Sequence, residues 1–297
     1  MNKLLDKCML CPKNCMVNRN KLELGFCKTG NKIRIGKAYL HKWEEPCISG
    51  KYGSGTIFFS GCNLRCIFCQ NYYISELNNG VEIDSLRFSE ICLDLQDRGA
   101  TNINLVTPTH YVPLIIEGLK VAKSKGLKIP IVYNSSGYEK VDTIRLLEGI
   151  VDVYLPDFKY YSDSYAVRYS RCKDYFKYAS LAIEEMVRQR PECIFDKDGN
   201  MISGVMVRHL LLPKMEDDSK KILEYLYNQY GNRIYYSIMN QYTPVRECKY
   251  TELNDRVDSS VYDDLINYAW NLGIRNAFIQ EEGTVSESFI PEFDFKG

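Results

Sequence analysis

Residues 56–71 read Thr-Ile-Phe-Phe-Ser-Gly-Cys-Asn-Leu-Arg-Cys-Ile-Phe-Cys-Gln-Asn. The run Thr56–Phe59 is rich in β-formers and predicts a strand. Directly behind it, Cys62, Cys66 and Cys69 stand at Cys-x3-Cys-x2-Cys on one loop. Thiolates this close in sequence can converge on a single metal centre. A four-iron cube needs four ligands, usually thiolates. Three would leave one iron open to an exogenous ligand, as a catalytic zinc keeps one position free. A zinc loop or a set of buried thiols is the plainer alternative.

Outward from this loop the chain alternates between two patterns. Strands are predicted at 56–59, 103–106, 129–133, 151–155, 204–212 and 234–239. Helices are predicted at 88–98, 113–125, 139–148, 174–189, 217–230 and 259–272. Gly99, Gly126, Gly149, Gly231 and Gly273 each follow a helical stretch, where a left-handed residue closes the last turn. Asp218 and Ser259 are the expected N-caps. Strand–helix repetition implies parallel strands joined by right-handed crossovers. A doubly wound sheet and a full or partial barrel both satisfy it, although six units are fewer than a closed barrel's eight. In either case function belongs at the C-terminal ends of the strands.

Composition sets the compartment. The 297 residues are 45% hydrophobic and 26% charged, with ordinary numbers of Gly and Pro, which excludes disordered and fibrous chains. No apolar run is long enough to span a membrane, and the first residues lack a signal peptide's apolar core. A reducing cytoplasm is therefore expected. Twelve cysteines are then out of place as disulfides and point to metal or redox chemistry. Net charge is zero, yet residues 1–60 hold eleven Lys and Arg against four Asp and Glu, a net of +7. This basic segment suits an acidic partner or a nucleic acid, or is a solvated surface.

Four further cysteines, Cys8, Cys11, Cys15 and Cys27, form a second set near the N-terminus, with Pro12 and Gly25 in knuckle-like positions. Four thiolates can close a structural zinc site or hold an iron–sulfur cluster, and spacing does not choose between them. The remaining five, Cys47, Cys92, Cys172, Cys193 and Cys248, read as small buried hydrophobes. Seven tyrosines between Tyr154 and Tyr178 read as amphipathic side chains beneath a helix layer, with base stacking or radical relay as the sharper alternatives.

The loop Cys62-Asn63-Leu64-Arg65-Cys66-Ile67-Phe68-Cys69-Gln70-Asn71 resembles the cluster motif of the radical S-adenosylmethionine (SAM) enzymes. Its form is most similar to the branch containing the glycyl-radical-enzyme activating enzymes, such as that of pyruvate formate-lyase, and their uncharacterised relatives. The resemblance spans roughly residues 55–280. It implies an α/β fold, a partial (β/α)6 barrel over 53–297 behind a cysteine-rich module at 1–52. It further implies that Cys62, Cys66 and Cys69 bind a [4Fe-4S] cluster, that SAM completes it, and that the Phe68 backbone meets the adenine. Many relatives place Gly-Gly-Glu after the second strand to receive the SAM amine. Here Val106-Thr107-Pro108-Thr109 stands instead, with Thr107 and Thr109 as substitutes. Asn134-Ser135-Ser136-Gly137 follows the third strand, so Asn134 and Ser136 face the cofactor. Asp157-Phe158-Lys159 matches the family's Asp-x-Lys, and Arg208 matches an arginine that pairs with the SAM carboxylate. His209, next to Arg208, points to the opposite face of its strand. Asn240 and Gln241, beyond the sixth strand, are candidate rim contacts.

The activity implied is reductive cleavage of SAM to a 5′-deoxyadenosyl radical that abstracts hydrogen from a substrate. The resemblance also implies a low-potential electron donor, a flavodoxin or ferredoxin. The expected substrate is a protein, a glycyl radical enzyme first, then another protein, a peptide or an RNA. No membrane is involved. A zinc-bearing interaction protein on a degenerate barrel is the non-enzymatic alternative.

Overall fold

The β-rich runs separated by amphipathic stretches form a single sheet in the computed structural model, which describes residues 2–280 and Phe293. Its strands are β1 (Ile33–His41), β2 (Ser54–Phe59), β3 (Val81–Ile83), β4 (Ile103–Val106), β5 (Ile131–Ser135), β6 (Val153–Pro156), β7 (Ile194–Phe195), β8 (Met201–Leu210), β9 (Tyr235–Met239) and β10 (Ala277–Ile279). The helices are α1 (Pro46–Ser49), α2 (Tyr72–Ser75), α3 (Ser85–Asp97), α4 (Val112–Ser124), α5 (Val141–Arg145), α6 (Asp163–Ser170), α7 (Tyr175–Gln189), α8 (Glu216–Tyr230) and α9 (Ser259–Leu272).

Strands β2, β4, β5, β6, β8, β9 and β10 lie side by side in that order and are all parallel. The first six of these are the six strands expected from sequence. The path ends in edge strands, β3 on one side and β10 on the other, so the barrel is partial. Strands β2, β5 and β6 are buried throughout, and β4 except at Val106, as a sheet covered on both faces requires. All five glycines expected behind helices have positive φ.

Three features depart from the sequence reading. β1 pairs antiparallel with β2 and with β3, so the sheet crosses the boundary placed at residue 52. Lys37 and a glycine break its alternation, which hid the strand. Asp218 does not cap α8. It lies in the first turn and accepts the backbone N–H groups of Tyr161 (2.8 Å) and Ser162 (2.9 Å), tying the loop after β6 to α8. α9 is capped by Asp258, whose carboxylate accepts Ser260 N–H at 2.9 Å, and not by Ser259.

The N-terminal segment is packed into the same core, through Leu5 and Leu10. Several of its attachments go to the segments that follow β4, β5 and β6. Thr143 Oγ1 donates to Leu10 O at 2.7 Å, and Lys140 Nζ to Asn14 Oδ1 at 2.7 Å. Arg19 donates to His110 O, and Lys13 to Arg171 O. The cysteine-rich segment therefore sits on the rim where function was expected. Among the described residues, no helix is long and apolar enough to cross a membrane.

Candidate active site

The loop after β2 is gripped by the tyrosine-rich segment that follows β6. Ile67 N–H donates to Tyr169 O at 2.9 Å, and Asn63 Nδ2 donates to Tyr138 O at 2.8 Å. Tyr160 shares a 2.6 Å hydrogen bond with Ser170, whose hydroxyl in turn donates to Cys66 Sγ at 2.9 Å. Ser75 Oγ donates to Cys69 Sγ at 3.3 Å, and the N–H groups of Leu64 and Arg65 point at Cys62 Sγ. These donors orient the sulfurs and favour their thiolate forms. Burial works against them, raising the Cys66 thiol and pushing Cys62 up to about 12. A cationic centre such as a metal cluster would favour the thiolates of Cys62 and Cys66 against this burial.

Cys62, Cys66 and Cys69 open onto one cavity of about 250 Å³. Phe68, Thr107, Asn134, Ser136, Asp157, Lys159 and Arg208 all line it, so the structure gathers these seven around the thiols. Thr109 does not join them. Its side chain is buried and hydrogen-bonds to Glu139 beneath the rim. Thr107 has φ +60°, a left-handed conformation that costs a β-branched residue free energy and is found where a site dictates the backbone. Beyond β9, Gln241 and Tyr242 reach the cavity but Asn240 does not. Phe68 packs edge-to-face on Tyr242, their centroids 6.1 Å apart.

The charged wall is one network. Arg208 Nε donates to Asp157 Oδ1 at 3.0 Å, and Lys159 Nζ lies 2.7 Å from Asp157 Oδ2. Arg208 Nη2 donates to Asn134 Oδ1 at 2.7 Å and Nη1 to Glu44 Oε1 at 2.8 Å. Burial pushes the Asp157 carboxyl up, but Arg208 and Lys159 outweigh it and hold the group below the usual carboxylate range. His209 faces the other way, as expected, bonded to Phe158 O and Ser219 Oγ; burial lowers it to about 4, so it is a neutral core residue.

Two contributors had no sequence signal. Glu44, from the loop after β1, accepts from Asn104 Nδ2 (2.9 Å) and Asn134 Nδ2 (3.1 Å) besides Arg208. It stands far from any motif, and only the antiparallel pairing of β1 brings it to the rim. Tyr175, the first residue of α7, donates to Ser136 O (2.8 Å) and Asp157 O (3.1 Å) and accepts from Lys159 N–H (2.9 Å). It locks two rim loops together.

The donor set fits the group that the motif implies. Two buried thiols and the half-buried Cys69 face a pocket whose remaining walls offer a guanidinium, an ammonium, two carboxylates and amides, the complements of an amino acid's two charges. Among the described residues, no three His, Cys, Asp or Glu side chains close on a point tightly enough to hold a single metal ion. A cube, which attaches each thiolate to a different iron, does not ask them to.

No family model matches the chain. It is 31% identical over 265 residues to an uncharacterised protein of Methanocaldococcus jannaschii, covering 86% of this chain and 71% of that one. A protein of the same organism, provisionally named a glycyl-radical enzyme activating enzyme, is 27% identical over 125 residues, 42% of this chain and 50% of that one. Among solved structures, Streptococcus suis SuiB bound to SAM superimposes with a TM-score of 0.51 at 12% identity, covering 75% of this chain and 49% of SuiB. HydG, a maturase of the [FeFe]-hydrogenase, gives 0.52 at 12%, covering 77% and 52%. The chain thus spans about half the length of these structural relatives, and at such identities they speak for the fold alone. Sequence kinship, partial barrel and cysteine loop agree: the chain shares a family with the uncharacterised M. jannaschii protein, and its fold is that of the radical SAM enzymes.

Proposed function

We propose that the rim cavity binds SAM against a [4Fe-4S] cluster held by Cys62, Cys66 and Cys69, and that the enzyme activates a glycyl radical enzyme. The convergence of three thiols with the Arg208–Asp157–Lys159–Glu44 network carries this reading. The cluster and SAM supply the chemistry, a one-electron cleavage that yields methionine and a 5′-deoxyadenosyl radical able to abstract hydrogen. The chain supplies position and charge. Arg208 matches the cofactor's carboxylate by its planar fork. Glu44, beside it, is the carboxylate that the Thr107–Thr109 turn lacks, and it receives the cofactor's amine. Asp157 holds Arg208 and Lys159 in place. The backbone and ring of Phe68, with Tyr242 and Gln241, form the adenine wall and exclude water.

A macromolecular substrate is supported by Trp43, which lines the cavity while 66% exposed, since tryptophan is a frequent anchor of protein contacts. The name of the second M. jannaschii relative favours a glycyl radical enzyme. The test is anaerobic reconstitution followed by dithionite and SAM. Formation of 5′-deoxyadenosine is expected, and none from a fully loaded cluster overturns the reading. Glycyl radical formation on a candidate partner, read by EPR, tests the substrate. Hydrogen abstraction from an RNA or an unrelated peptide instead would replace that half of the proposal.

A further inference from the structure

Cys8, Cys11, Cys15 and Cys27 surround one small cavity of about 10 Å³, together with Leu10, Val17, Arg19 and His110. Two buried side chains there lack the partners they need. Arg19 is wholly buried. Its Nε donates to Gly30 O at 2.8 Å, Nη2 reaches the same carbonyl and Nη1 reaches His110 O. No carboxylate pairs with it among the described residues, and its nearest anionic candidate is Cys8 Sγ, 4.0 Å from Nη1. A buried guanidinium without a counter-charge is strongly disfavoured. His110, 1% exposed, donates from Nε2 to Ser60 O (2.9 Å), which leaves Nδ1 as an acceptor without a partner among the described residues. The buried charge of Arg19 therefore calls for an anionic neighbour, and four thiolates around a metal centre carry that charge.

Which centre is decided by spacing. Four thiolates on one zinc, with Zn–S of about 2.3 Å, bring the sulfurs to about 3.8 Å from one another and leave no void between them. Here the four thiols line one void of about 10 Å³. No three of them close on a single-ion point. Preorganised donors complete the tetrad: Phe26 N–H points at Cys15 Sγ (3.3 Å) and Thr29 Oγ1 lies 3.1 Å from Cys27 Sγ. A side chain at Gly25 would collide with Cys15 Sγ, its Cβ falling 2.9 Å away.

We infer that Cys8, Cys11, Cys15 and Cys27 hold a second [4Fe-4S] cluster, counter-charged by Arg19 and in direct contact with the first cluster's loop. The contact is through Gly61, φ +84°, whose missing side chain admits Cys27 O; a Cβ there would lie 2.7 Å from that oxygen. Cys62 is the next residue. Lys13 lies between the two sets, within electrostatic range of Cys11, Cys15 and Cys62.

The inference rests on the radical SAM reading only for the identity of the first cluster, and metal analysis separates the two. Anaerobically reconstituted full-length protein is expected to carry about eight iron and eight sulfide per chain, two cubes' worth. The Cys62→Ala/Cys66→Ala/Cys69→Ala variant should keep half of each and give, after dithionite, an EPR signal indifferent to SAM. The fully reduced wild type should show a signal broadened by interaction between two centres. About four iron per chain in the wild type, with or without one zinc, overturns the proposal, and does so without any variant having to fold. That result together with 5′-deoxyadenosine formation would leave the proposed function standing. Arg19→Met should make the tetrad centre harder to reduce, with Arg19→Lys restoring it. A potential unchanged in Arg19→Met overturns the counter-charge role.

Discussion

The two cysteine sets share a rim and differ in almost everything else. The triad of Cys62, Cys66 and Cys69 opens onto a roomy cavity walled by two cations, two carboxylates and amides. The tetrad of Cys8, Cys11, Cys15 and Cys27 encloses a small void walled by apolar side chains, with Arg19 as its sole buried cation among the lining residues. Three ligands beside a large polar cavity leave a place for a reactant; four around a closed one leave none. The difference is that between a site that does chemistry and a site that holds or passes charge.

The largest expected effect tests whether that contrast is real. Cys66→Ala should reduce 5′-deoxyadenosine formation to background under dithionite, because it removes a ligand from a set already one short. Retained cleavage would mean that the triad is not the reacting site. Next in size is Arg208→Leu. It leaves Asp157 with Lys159 alone and Glu44 with only the amides of Asn104 and Asn134, and breaking a buried ion pair from one side costs about 3–5 kcal/mol. Thermal or chemical denaturation should show that loss, and calorimetry should show SAM binding weakened by ten-fold or more. Glu44→Gln isolates the second effect: SAM binding should weaken while stability changes less, since the amide still fills the space and still hydrogen-bonds Arg208. Equal SAM affinity in Glu44→Gln and wild type would remove Glu44 from the amine site.

Gly61→Ala acts where the two regions meet. The new methyl must take φ +84° and push against Cys27 O and the Thr29 side chain, whose Cγ2 would be 2.5 Å away. A cost of about 1–3 kcal/mol is expected from strain and overpacking combined. Its signature is loss at both sites, with iron content falling below the wild-type value. A variant as stable and as fully loaded as wild type would show that the two loops do not depend on each other.

Much of the rim was legible in the chain because its residues follow strands, and strands announce themselves by composition. Cys62, Asn134, Asp157 and Arg208 each stand at or just beyond the end of a β-rich run, so the parallel topology alone carries them to one place. Glu44 escaped because its position depends on β1, an antiparallel strand whose alternation is interrupted by Gly36 and Lys37. Tyr175 escaped because a tyrosine at a helix start looks the same in sequence whether it covers a core or ties two loops. Arg19 escaped for a different reason. A basic residue in a basic segment reads as solvated surface, and only its burial beside four thiols gives it a role.

The smallest effect concerns how each region keeps a buried carboxyl. At the rim, Asp157 stays ionised because Arg208 and Lys159 overcome burial; its depressed value contributes stability above the ordinary aspartate range that is lost as pH falls through the folded-state value. Beneath the tetrad, Glu139 has no cation beside it. Burial raises it to about 8, although Thr109 and Tyr133 donate to its Oε1. The folded state then holds a proton that the unfolded chain releases near pH 4.5, so between about 4.5 and 8 folding binds protons and stability falls as pH rises. The slope can reach about 1.4 kcal/mol per pH unit. Glu139→Gln, neutral at every pH, should flatten denaturant-measured stability across that window relative to wild type, the two differing least at the acid end. Parallel profiles would mean that Glu139 is ionised in the folded protein and that the tetrad region, like the rim, contains a counter-charge for it.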